Sequence, residues 1–295
     1  MTGTPDKPSR RQFLKSIGGF FLLPPLIRTS SLLEGEDEQI CTRTFQFAVE
    51  HSLRKKPIGD VMVDIGRSFL GSPYRARTLE APGEEHLVVN LRGFDCVTFV
   101  ENVLCIGRLI KKNTLDFSDY RKELQFIRYR RGIIEGYPSR LHYFSDWIED
   151  NERKDVLVDA AEMLAGHPYE KTVNYMTTHR DLYKQLADDA FLEAMKKIEA
   201  GLSTRKMYYV PKEHVEKVQK GIQSGDIIGI TTSIEGLDII HTGVAVRMEN
   251  GTVHYLHAPL SKGEVRMTDQ PLNEYLAPSS NHTGIMVARP LEPGV

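Results

Sequence analysis

The chain has 295 residues, 40% hydrophobic and 26% charged, with a formal net charge of −2. That length can bury one large core or two modest ones, and so balanced a charge excludes a broadly basic nucleic-acid surface. Three cysteines (Cys41, Cys96 and Cys105) are too few for a disulfide framework and match no zinc spacing, so neither metal nor cofactor is expected.

Ser9-Arg10-Arg11-Gln12-Phe13-Leu14-Lys15 matches the twin-arginine export pattern, and an apolar run at residues 17–27 follows it. Gly18-Gly19 and Pro24-Pro25 break the run, which is too short for a membrane span. Residues 1–33 are therefore read as an export signal, placing the mature protein in the periplasm. No small-x-small cleavage site precedes Ser30-Ser31, and an uncleaved signal would act as a membrane tether. Residues 34–295 are read as one domain, opening with helices at 34–70.

Residues 34–38 are acidic and read as mobile. A helix is expected at 42–53, and a second from Pro57, with Ile58, Val61, Met62, Ile65 and Phe69 on one stripe and Gly71 as its stop. A turn at 71–74 presents Tyr74. After a loop at 90–93, Val97, Val100, Val103, Leu104 and Leu109 recur at helical spacing, predicting a helix to about Lys112. Asp95 stands at its N-cap, so Cys96 falls in the first turn, where unpaired N–H groups and the helix dipole predict a lowered thiol pKa. Cys105 lies half a turn away at roughly 100° per residue and faces the opposite side.

Between 125 and 150, Arg128, Arg130, Arg140, Tyr143 and the single tryptophan, Trp147, crowd together. Such a cluster can hold carboxylates and sugar faces, or it can be a solvated hairpin with ordinary aromatic packing. A long amphipathic helix is expected from 180 to 200, with Thr178 and Asp181 as a capping box and Gly201 as its stop. The last third turns to strands at 227–230, 239–248, 252–257 and 284–288, with a hairpin turn at Asn250-Gly251. Early helices followed by antiparallel strands indicate an α+β fold.

A thiol nucleophile needs a base within hydrogen-bond reach and a third group to hold that base. His241 is the candidate base, because it opens a strand and precedes Gly243, which admits a close backbone or ligand. The orienting group is either His254 or His257. A two-residue loop at Asn250-Gly251 puts His254 on the face of His241, whereas a three-residue loop with Gly251 left-handed puts Gly243 opposite His257. Both loops suit the sequence.

Gly71-Ser72-Pro73-Tyr74, Gly93-Phe94-Asp95-Cys96, Ser224-Gly225-Asp226, His241-Thr242-Gly243-Val244 and His257-Ala258 occur in that order. The ordered set resembles the NlpC-type, papain-like cysteine hydrolases that cut bacterial peptidoglycan. Tyr74-Arg75-Ala76-Arg77-Thr78-Leu79-Glu80, Asp95-Cys96-Val97-Thr98-Phe99-Val100-Glu101 and Arg140-Leu141-His142-Tyr143-Phe144-Ser145-Asp146-Trp147 resemble more narrowly its N-acetylmuramoyl-L-alanine amidase-like branch. The likeness covers most of residues 56–290 and implies a papain-like fold, with the cysteine at a helix N-terminus packed on an antiparallel sheet. It implies Cys96 as nucleophile, His241 as general base, His257 as third residue, Tyr74 near the oxyanion and Asp95 bracing the cysteine turn.

The implied substrates are muropeptides, cut through a thioester at the bond between N-acetylmuramic acid and L-alanine. Arg128, Arg130, Arg140, Tyr143 and Trp147 become substrate-binding candidates, within an insertion spanning about 115–215. The alternatives are a γ-D-glutamyl-diamino acid endopeptidase and a non-catalytic peptidoglycan-binding module. Val97-Thr98 replaces the Ser-Gly that commonly follows the cysteine, and Pro259 replaces a usual serine, which implies a differently shaped cleft.

Overall fold

The computed structural model describes residues 27–80 and 83–294. The predicted export motif at 9–15 lies outside the described residues. Helix α1 spans Ile27–Glu50, so the acidic stretch expected to be mobile is helical. The physical reason is Asp37, which is buried, accepts the Leu91 amide at 2.8 Å and pairs with Arg92 at 3.0 Å. Helix α2 (Ile58–Ser68) starts after Pro57 as expected. Helix α3 (Cys96–Lys112) begins with the cysteine.

Helix α4 (Phe117–Arg128) and helix α5 (Phe144–Arg153) are separated by irregular chain with two short 3₁₀ turns, not by a hairpin. Short elements follow: β1 (Leu157–Asp159), β2 (His167–Pro168) and α6 (Tyr175–Thr178). Helix α7 (Asp189–Ser203) starts later than its periodicity predicts and runs past Gly201. Arg180 donates to the Leu186 carbonyl (2.5 Å) and to Asp189 (2.7 Å), holding residues 180–187 in 3₁₀ turns. Asp188, rather than a Thr178–Asp181 box, then caps the helix by accepting the Ala190 amide at 2.8 Å.

The remaining elements are β3 (Tyr208–Pro211), α8 (Val215–Val218), β4 (Ile227–Thr232), β5 (Ile239–Arg247), β6 (Val253–His257), β7 (Arg266–Met267), α9 (Leu272–Leu276) and β8 (His282–Pro290). The strands form one antiparallel sheet in the order β2-β3-β8-β4-β5-β6-β7, with β1 also paired to β8. Alternation along the strands divides the core between its two faces. Ile227, Val244, Val246, Leu256 and Met286 pack with Val61, Ile65, Val103, Leu104 and Ile127 of the helices. Ile228, Ile230, Ala245, Tyr255, Ile285 and Val287 pack with Leu272 and Leu276 on the other face.

A third cluster (Tyr137, Tyr143, Val173, Met176, Leu186, Met195 and Leu202) gives residues 137–202 a small core of their own. Each large apolar side chain buried in this way stabilises the fold by about 1.5–3 kcal/mol. The result is a mixed α+β fold in which α3, buried along nearly its whole length, packs on the interior strand β5 and begins with Cys96. Among the described residues, no helix is long and apolar enough to cross a membrane.

Candidate active site

Asp95 holds the start of α3 through local chemistry. Its Oδ1 accepts the Thr98 amide at 2.8 Å, while Thr98 Oγ1 accepts the Asp95 amide at 3.0 Å, so two otherwise orphaned donors are satisfied reciprocally. The backbone N–H groups of Cys96, Val97 and Thr242 reach the Cys96 sulfur. These donors favour the thiolate, as the helix-start argument predicts. They do not win. Burial, with the neighbouring Asp95 carboxylate second, pushes the thiol up to about 12, which corrects the expectation of a lowered pKa. The resting cysteine is therefore a half-buried neutral thiol. Cys105 is fully buried, its sulfur against the Tyr120 carbonyl at 3.5 Å.

The β5–β6 hairpin pairs Val244 with Leu256 and Arg247 with Val253. Its loop has three residues, Glu249-Asn250-Gly251: Met248 donates to Thr252 at 2.8 Å and Gly251 is left-handed with φ 86°. That register sets Gly243 against His257, and a Cβ there would lie 2.7 Å from the Leu256 carbonyl oxygen and 2.8 Å from the His257 Cβ. His241 Nε2 and His257 Nδ1 are 2.7 Å apart. His254 is directed elsewhere, with its Nδ1 2.9 Å from the Thr268 carbonyl.

Burial lowers His241 to about 4, with His282 adding to the effect, and lowers His257 to about 3, with the His241 and Arg266 charges adding. Both rings are neutral near pH 7. With Nε2 of His241 engaged by His257, Nδ1 is the nitrogen left for a thiol proton. Tyr255 and Tyr275 ring the histidine pair, at 4.7 and 5.3 Å from His257 between ring centroids. Tyr275, Tyr255 and His282 carry no local sequence signal for a site; β6, β8 and helix α9 bring them here.

Tyr74 is set by the strap at 73–75, which pairs with Phe94: Phe94 donates to the Pro73 carbonyl at 3.0 Å and Arg75 to the Phe94 carbonyl at 2.9 Å. The Tyr74 hydroxyl is pushed up to about 12 by burial, then by Cys96 and Asp95, and stays protonated as a donor.

Two chambers meet at Cys96. The smaller, about 130 Å³, is lined by Val97, Val100, Glu101, residues 141–144, Trp147 and residues 237–242. The larger, about 530 Å³, runs past Tyr74, Arg77, Glu80, Arg140, Tyr175 and Tyr183. Glu101 and His142 border both. Glu101 is 2% exposed, and its Oε2 accepts from Arg128 Nε at 2.8 Å. The Trp147 indole N–H is buried without a partner among the described residues.

The arginine cluster divides. Arg140, Tyr143 and Trp147 border the chambers. Arg128 and Arg130 do not, which corrects their assignment as substrate-binding residues. Arg128 is fully buried and donates to Glu101 and to the Val88 carbonyl. Arg130 grips Asp146 through two hydrogen bonds of 3.0 and 2.6 Å. Arg140 pairs with Glu80 (2.7 Å) and Glu85 (3.2 Å) at the chamber wall, and the Tyr143 hydroxyl donates to Glu199 at 2.7 Å. Arg77, exposed at the mouth of the larger chamber, has no ion pair among the described residues and was visible in the sequence only as part of the Tyr74–Glu80 block. The Ser224-Gly225-Asp226 segment is structural: Asp226 takes both arms of Arg289 at 2.8 Å each. Among the described residues no group of histidine, cysteine or acidic side chains could hold a metal ion.

Comparison with known proteins shows which fold and family the chain shares. Two crystal structures of an N-acetylmuramoyl-L-alanine amidase from Bacteroides uniformis are 38% identical, each with a TM-score of 0.75, covering 79% of this chain and 98% and 99% of theirs. A Bacteroides fragilis protein for which a xylanase activity has been suggested is 37% identical, with a TM-score of 0.71, over 76% of this chain and 98% of its own. A Legionella pneumophila protein of the DUF1460 family is 22% identical with a TM-score of 0.65, covering 89% of this chain and 97% of that one, and shares the fold. No curated protein matches the chain. Residues 64–285 match the AmiA-like family, described as N-acetylmuramoyl-L-alanine amidase-like, and the chain belongs to that family.

Proposed function

We propose that this protein is a papain-like cysteine amidase of the NlpC type that hydrolyses the amide between N-acetylmuramic acid and L-alanine in muropeptides. The observation that carries the reading is the 2.7 Å contact between His241 and His257, with His241 and the helix-start thiol of Cys96 lining one cleft. Attack by Cys96 sulfur on the amide carbonyl sends the thiol proton to His241 Nδ1. The resulting imidazolium donates through Nε2 to the His257 Nδ1 lone pair, which holds the ring in place. The Cys96 backbone N–H and the Tyr74 hydroxyl stabilise the oxyanion. His241 then protonates the leaving amine, and water, deprotonated by the same ring, hydrolyses the thioester.

The proton transfer matters because both partners start neutral: the thiolate forms only as the carbonyl is engaged. Glycoside cleavage of the xylanase kind needs two free carboxyl groups across the bond. Here Glu80 is paired to Arg140, Asp95 caps α3, and Asp238 accepts both the Ser145 amide and its hydroxyl.

Mass spectrometry of products from a defined muropeptide tests the reading. The wild type should release an intact stem peptide, and Cys96→Ala none; wild-type turnover by Cys96→Ala would refute it, and a split stem would make the protein a γ-D-glutamyl endopeptidase. The twin-arginine pattern at residues 9–15 supports export to the periplasm, which fractionation of a reporter fused to residues 1–33 would check.

A further inference from the structure

The small chamber holds more polar chemistry than the amidase mechanism uses. Val97, Val100, Leu141, Phe144 and Ile239 make its walls apolar, yet the Trp147 N–H at its border is buried without a partner among the described residues, and the Glu101 carboxylate, held through Oε2 by Arg128, lines the same chamber. Buried polar groups are almost always satisfied, so the unpaired donor beside a carboxylate points to a ligand that accepts from the one and donates to the other. The Glu101 charge is already balanced by Arg128. A cation would therefore leave the indole N–H unpaired, and an anion would face the carboxylate. A neutral amide answers both groups at once.

The chamber measures about 130 Å³. It has room for the four heavy atoms of an acetamido group. We propose that this chamber is a slot for the 2-acetamido group of the substrate sugar, with Trp147 Nε1 donating to its carbonyl, Glu101 Oε1 accepting from its N–H, and the apolar wall around its methyl. The inference rests on the muropeptide reading and adds the determinant by which the sugar is chosen.

The probes are N-acetylmuramoyl-L-alanyl-D-isoglutamine and its counterpart with a neutral hydroxyl in place of the acetamido group. A deacetylated amine is avoided because its charge would be drawn to Glu101. The wild type should prefer the acetamido form by about 10²-fold or more in kcat/KM, because the hydroxyl form leaves the buried indole N–H unpaired. Trp147→Phe keeps the ring that stacks on Phe144 (5.7 Å between centroids) and removes only the N–H. It should lower kcat/KM about 10-fold on the acetamido form and change the hydroxyl form little.

Equal wild-type rates on the two forms, or an equal loss on both in Trp147→Phe, would overturn the slot. Calorimetric titration of Cys96→Ala with the same two compounds reads the slot without turnover. Tighter binding of the acetamido form, narrowed in Cys96→Ala/Trp147→Phe, supports it, and equal affinities overturn it. Selective binding without wild-type hydrolysis of either compound would overturn the amidase reading alone.

Discussion

Acidification acts on the histidine pair in a direction that can be worked out. Both rings have folded pKa values below the ordinary 6.5, about 4 for His241 and about 3 for His257, so the unfolded chain binds more protons than the folded one as pH falls below 6.5. Stability rises with pH across that window and is lost as pH falls through it. Between pH 7.5 and 4.5, each ring contributes about 2.5 kcal/mol of lost stability, and the two together about 5 kcal/mol. Several buried carboxyl groups work in the opposite sense: Glu101, Asp226 and Asp238 are all raised by burial.

The assay is therefore a difference. Urea unfolding of the wild type and of His241→Gln/His257→Gln is followed at both pH values, and the wild type should lose about 5 kcal/mol more than the variant. The same protonation disables the base, so kcat/KM should fall on the acid side with an apparent pKa near 4. An acid limb near 6.5, together with equal losses in wild type and variant, would refute the neutral pair.

Three further outcomes are expected. Asp95→Asn keeps an N-cap but removes the charge that helps hold the Cys96 thiol up, so alkylation by iodoacetamide at pH 8 should accelerate while the melting temperature changes little. Arg128→Met leaves Glu101 as an uncompensated buried charge and should cost about 3–5 kcal/mol by denaturant unfolding; Arg128→Met/Glu101→Leu should recover most of it. His257→Ala should lower kcat at least about 10²-fold, whereas His254→Ala should stay within about 2-fold, because only His257 contacts the base; the reverse ranking, measured on one muropeptide, would put the third residue on the wrong strand position.

Features that depend on a few neighbouring residues were legible in the sequence. The capping box at Asp95 and Thr98, the helix from Cys96 to Lys112 and the strands of the last third follow from 3.6- and 2-residue periods and from i,i+3 hydrogen bonds. The motifs around Cys96 and His241 were legible as an order along the chain, which carries no distance between them. The early start of α1 and the late start of α7 were not legible, because each is decided by a distant or side-chain partner: Asp37 with the Leu91 amide, and Arg180 with the Leu186 carbonyl.

Tertiary structure alone decided three things. The choice between His254 and His257 turns on one loop residue count, since a shift of one in strand register moves every side chain to the other face. The roles of the arginines depend on carboxylates far away in the chain, with Glu101 claiming Arg128, and Glu80 and Glu85 claiming Arg140. The ionisation of Cys96 depends on how much water the fold removes. The helix start offers the sulfur its N–H donors, but desolvation by the packed chain outweighs them and leaves a thiol that must wait for its substrate.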